Sequence, residues 1–157
     1  MMDKNELMQK AIRLAVKNVE SGRGGPFAAL VVRDGEVIAT GANAVTRSND
    51  PTAHAEIMAI RKTCSKLGRF DLSGCELYST SEPCPMCLGA IHWARLDRVY
   101  FAARTEDAAR AGFSDRSIQD EMKRPYGKQS IAIERLSHRE AGLPFEAWQK
   151  KADKILY

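Results

Sequence analysis

The sequence predicts an α/β fold, a central five-stranded mixed sheet opened by one antiparallel hairpin and interleaved with helices. Three observations predict it. Asp34-Gly35, a two-residue hairpin signal, stands between two strand-like runs at 27–32 and 36–42. Apolar runs of strand length return at 76–80 and 98–103. Between and around them lie segments with helical spacing and capping residues at their ends.

Taken in order, Asp3 and Glu6 form an N-cap with its partner three residues on, and Leu7, Ala11, Leu14 and Ala15 recur on one helical face. Gly22 is placed to end that helix. The returning hairpin strand, 36–42, is rich in Val, Ile and Thr. Asn49-Asp50-Pro51 reads as a capping Asp followed by Pro at the first helical position, opening a helix that runs to Leu67 and stops at Gly68. A strand at 76–80 follows, then a helix at 84–94, a strand at 98–103, and short helices at 105–111 and 117–122. Ile131, Ile133 and Arg135 alternate with Ala132 and Glu134, the pattern of an edge strand over 130–136. The last element is an amphipathic helix at 144–154.

The chain has 157 residues, enough for one domain with its own core. No repeat, linker or low-complexity tract divides it, so 1–157 is read as a single domain. The net charge is +4, but the Lys and Arg residues are scattered rather than gathered into a stripe, so nucleic acid is not an expected partner. Lys4, Glu6, Lys10, Arg13, Lys17 and Glu20 interrupt any leader-like apolar run, and no stretch is long enough to span a membrane. A cytoplasmic location follows as the expectation, with the four cysteines reduced or bound to metal.

Two segments carry the chemistry: Pro51-Thr52-Ala53-His54-Ala55-Glu56 and Glu82-Pro83-Cys84-Pro85-Met86-Cys87. His54, Cys84 and Cys87 make a Cys2His set, which leaves the fourth tetrahedral position of a zinc ion open to water. A Cys-x-x-Cys pair in the first turn of a helix brings both sulfurs to one point, where the helix dipole and free N–H groups favour thiolates. Residues two apart point to different sides of a helix, so His54 and Glu56 share a site only if the metal lies at the helix end. Glu56 is not needed as a ligand and is read as the group that moves protons. Cys64 and Cys75 have no partner at ligand spacing and are expected to be buried, inert thiols. His92 and His138 are read as surface or packing residues.

Together these elements match the His-x-Glu and Pro-Cys-x-x-Cys signature of zinc deaminases. The resemblance to the cytidine deaminase-like superfamily extends further, through Gly24-Gly25-Pro26-Phe27, Asn43, 50–56, 84–91, 111–115 and Tyr157. Over nearly its whole length the chain is similar to the bacterial guanine deaminases within that superfamily. The resemblance implies a three-layer α/β/α fold, one zinc ion per chain, and hydrolysis of guanine to xanthine and ammonia. It also implies a small-molecule purine substrate and a homodimer that exchanges its C-terminal segments. Asn43 and Asp115 would hydrogen-bond the purine, Phe27 and Trp93 would wall its ring, and Tyr157 would close the pocket.

Several alternatives stay open at this level. Phe27 and Trp93 suit a core as well as a pocket, and Asp115 suits an N-cap. Guanosine, tRNA adenosine and cytosine-type deaminases share the motifs, and a structural zinc-binding module is the non-enzymatic alternative. Thr80-Ser81 departs from the Ser-Cys expected in guanine deaminases, removing a thiol before Glu82.

Overall fold

The computed structural model describes residues 2–157. Among them the elements run α1 (Lys4–Glu20), β1 (Ala28–Arg33), β2 (Glu36–Ala42), α2 (Val45–Ser48), α3 (Ala55–Leu67) and β3 (Glu76–Ser81). They continue with α4 (Pro85–Trp93), β4 (Arg98–Ala103), α5 (Thr105–Arg110), α6 (Arg116–Lys123) and α7 (Leu143–Lys150). The described chain divides after Asp115 into two units, the first carrying the sheet and the second spanning Arg116–Tyr157.

In the first unit the sheet order is β2-β1-β3-β4. β1 is antiparallel to both β2 and β3, and β3 and β4 are parallel. The hairpin is as expected: Asp34 and Gly35 both take positive φ, 51° and 75°, which suits a turn whose twist matches the strands it joins. Strand alternation then sorts the side chains. Leu30, Val32 and Tyr78 face one way and pack on Leu7 and Ala11 of α1, while Ala29, Val31 and Leu77 face Ala55, Ala59, Ile91 and Ala94 of the α3–α4 layer. The result is the three-layer α/β/α arrangement. The expected box at the start of α1 is present, with the Glu6 amide and the Asp3 carboxylate 2.8 Å apart and the reciprocal bond also 2.8 Å.

Gly41 sets how closely α3 lies on β2. A Cβ built there would stand 2.1 Å from the Ala55 carbonyl oxygen and 2.5 Å from the Ala59 amide, so no larger residue fits without moving the helix.

Three expectations need correction. The sheet has four strands rather than five. Residues 130–136 form no ladder; the Ser130 amide donates to the Glu121 carboxylate at 2.7 Å, and 131–140 are exposed. Alternation provides a strand with a face, but pairing needs a neighbouring backbone in register, which a local pattern does not specify. The helix expected at Asp50-Pro51 begins instead at Ala55. The Asp50 carboxylate accepts from the Thr52 amide at 2.8 Å and hydroxyl at 2.6 Å, closing a turn with the groups that would have capped a helix. The last helix stops at Lys150, four residues early.

In the second unit α6 and α7 are joined by irregular chain, and none of its side chains is fully buried. Arg124 pairs with Glu121 at 2.9 Å on one exposed turn.

Candidate active site

His54 and Cys84 occupy the same place in two different helices. Each is an N-cap with extended backbone, at φ −69° and ψ 157° for His54 and φ −65° and ψ 166° for Cys84. A capping side chain ordinarily turns back to accept an amide of its own helix. Neither does so here. Both side chains turn toward one another, and Cys87, the third residue of α4, joins them. The His54 Nδ1 lies 3.5 Å from each sulfur. One donor atom from each of the three residues falls within a 4.8 Å group.

That geometry fits zinc. Zn–S and Zn–N bonds of about 2.3 and 2.0–2.1 Å at a tetrahedral angle separate nitrogen from sulfur by about 3.5 Å, the observed spacing. With His54 at the helix end rather than within its barrel, the requirement set by the two-residue spacing to Glu56 is met.

Glu56, in the first turn of α3, is buried at 6% exposure. Its Oε2 lies 3.5 Å from the Cys87 sulfur, and its Oε1 accepts from the Ser79 hydroxyl at 3.2 Å. Burial pushes its carboxyl above the ordinary glutamate range, although the Cys87 hydrogen bond opposes the shift. The hydrogen bond from Cys87 draws the Cys84 thiol down to about 4, with His54 assisting, and the same bond pushes the Cys87 thiol up. The hydrogen bond to Cys84 raises the His54 imidazole, against its partial burial.

The other expected site residues are distributed unevenly. Asn43 is buried, and its Oδ1 accepts from the Gly25 and Val45 amides, each at 3.3 Å. Phe27 is half-buried and meets Phe113 edge-on, with ring centroids 5.0 Å apart. Trp93 ends α4 and is 69% exposed, and Asp115 is half-buried. Tyr157 lies in the second unit, 73% exposed. Cys75 is buried as expected, but Cys64 is only partly so, because its end of α3 is not fully covered.

Sequence reasoning passed over three residues. Asn18, buried on α1, donates from Nδ2 to the carbonyls of Gly25 and Asn43, both at 2.9 Å, tying together the loops that carry Asn43. Gly24 admits this clasp, since a Cβ there would stand 2.2 Å from the Asn43 carbonyl oxygen. Ser79 and Phe113 complete the set, the latter falling within the 111–115 motif but given no role there. Strand parity was the available signal for Ser79, which shares a face with buried Leu77.

Comparison with known proteins agrees with this reading. Residues 1–103 match the cytidine and deoxycytidylate deaminase zinc-binding region. A guanine deaminase of Bacillus subtilis (strain 168) is 48% identical over 156 residues, covering 99% of this chain and all of that protein. The X-ray structure of guanine deaminase from Bacillus subtilis superposes with a TM-score of 0.97 at 48% identity, covering 99% of each chain. A tRNA-specific adenosine deaminase of Aquifex aeolicus (strain VF5) is 42% identical over 102 residues, 65% of this chain and 67% of that one. A donor set suited to zinc, at the starts of two helices and inside a matching fold, agrees with these likenesses: the chain belongs to the cytidine and deoxycytidylate deaminase family of zinc-dependent enzymes.

Proposed function

We propose that this protein hydrolyses guanine to xanthine and ammonia, with His54, Cys84 and Cys87 as zinc ligands and Glu56 as the proton carrier. The observation that carries the reaction type is the buried Glu56 carboxylate beside a donor set of three, since a purely structural site has no use for it. The full-length likeness to a guanine deaminase favours guanine among the possible bases.

Zinc, when bound, lowers the pKa of a water toward about 7 and makes it a nucleophile at neutral pH. Glu56 takes the proton that this water loses and places it on the ring nitrogen next to the amino-bearing carbon. Once the new C–O bond has formed, Glu56 takes the second proton from that hydroxyl and delivers it to the amino group as the C–N bond breaks. Ammonia departs and the ring carbonyl of xanthine remains.

Asn43 orients the base. With its Oδ1 engaged by two backbone amides, its NH2 group is the end that donates to a purine acceptor. Phe27, braced by Phe113, offers an aromatic wall, and Trp93 offers a second. Asp115 accepts from ring N–H or amino groups. Tyr157 closes the pocket from a second copy of the chain, in a homodimer that exchanges C-terminal segments. The working unit is one deaminase domain over 1–157, acting in purine catabolism in the cytoplasm. No helix among the described residues is long and apolar enough to cross a membrane.

Ammonia release from guanine, guanosine, adenosine, cytosine, cytidine and tRNA, measured in parallel, tests the substrate. Release from guanine is expected. Activity confined to tRNA or to a nucleoside would refute it.

A further inference from the structure

Glu56 can act as a proton carrier only if one carboxylate oxygen is kept facing the metal ligands while the other is held still. A single rotation of the carboxyl group would lose that arrangement. Ser79 supplies the constraint. It lies on β3 between Ala29 of β1 and Phe101 of β4, and its side chain is 2% exposed. Leu77 and Ser79 share a face of the strand, and Leu77 packs in the α3–α4 layer, so the Ser79 hydroxyl points at the start of α3. There it donates to the Glu56 Oε1 at 3.2 Å. The Oε2 is left 3.5 Å from the Cys87 sulfur, on the side of the donor set.

We propose that Ser79 is a positioning residue: by occupying the Glu56 Oε1 it keeps the Oε2 turned toward the metal ligands and the reacting base. The inference rests on the role of Glu56 stated above. It accounts for a buried hydroxyl whose cross-strand neighbours, Ala29 and Phe101, offer it no side-chain partner, where a buried O–H needs one. Ser79 acts through Glu56, to which its hydroxyl donates.

Zinc-loaded wild-type protein, Ser79→Ala and Ser79→Thr should be compared by zinc content, steady-state kinetics on guanine, thermal melting and crystal structure. A hydrogen bond to a carboxylate is worth roughly a ten- to hundred-fold change in rate when lost from a catalytic group. Ser79→Ala is expected to hold one zinc per chain, keep its KM, and lose about that factor in kcat. Its Glu56 carboxyl should be turned away from the position seen here. Ser79→Thr, which restores the hydroxyl on a strand-favouring residue, should recover kcat and the carboxyl orientation. An unchanged kcat in Ser79→Ala overturns the proposal, as does a loss shared by kcat and KM with the carboxyl unmoved. If wild-type protein releases no ammonia from guanine, the substrate assignment fails separately. The carboxyl orientation in Ser79→Ala then decides the role of Ser79, and an unmoved Oε1 overturns it.

Discussion

The hydrogen bond between Cys84 and Cys87 holds the first thiol below its ordinary range and the second above it. His54 beside them holds its proton more tightly than an ordinary imidazole. Zinc needs both thiolates and a neutral imidazole, so binding must expel these protons. Adding zinc to metal-free protein in weak buffer should therefore release protons at pH 8, that of Cys87 among them. Release should rise as pH falls toward 6, where His54 is increasingly protonated. The sign follows from the raised His54 value: below it, the imidazole enters the reaction charged and must lose its proton. Potentiometric titration checks this, and release that stayed flat between pH 8 and 6 would argue against His54 as a ligand.

The elements matter because two helix starts must meet. α3 is held on β2 through Gly41, whose backbone lies against the first turn of the helix, one residue from His54. Gly41→Ala should push that turn outward, destabilising the protein by about 1–3 kcal/mol and weakening zinc retention. Urea unfolding with and without a chelator measures both effects. At this scale much was legible in the sequence. The capped α1, the Asp34-Gly35 turn and the strands at 36–42 and 98–103 are written in local spacing, and they appear where the spacing places them. The start of α3 was not, because Asp50 and Thr52 satisfy a turn with the same groups that would cap a helix. The fifth strand was not, because 130–136 carries a face without a specified neighbour. His54, Glu56, Cys84 and Cys87 were legible as a motif; Ser79 was not, since its bond to Glu56 joins two elements 23 residues apart.

At the scale of the whole molecule, the second unit bears Ile131, Ile133, Leu136, Phe145, Ile155, Leu156 and Tyr157 as exposed apolar side chains, at 48–91% exposure. So much apolar surface on 42 residues is unusual for a chain acting alone. Association into the proposed homodimer would cover it, and sedimentation equilibrium should return twice the 17.4 kDa of one chain. A monomer at micromolar concentration would contradict exchange of C-terminal segments. What joins residue, element and molecule is the division of labour proposed for the metal centre, with three residues holding zinc and Glu56 moving protons. Its most direct test is Glu56→Ala, measured for zinc content and for ammonia release from guanine on the same sample. One zinc per chain with turnover reduced about 10²–10⁴-fold is the predicted result. Full activity, or loss of the metal together with the activity, would contradict it.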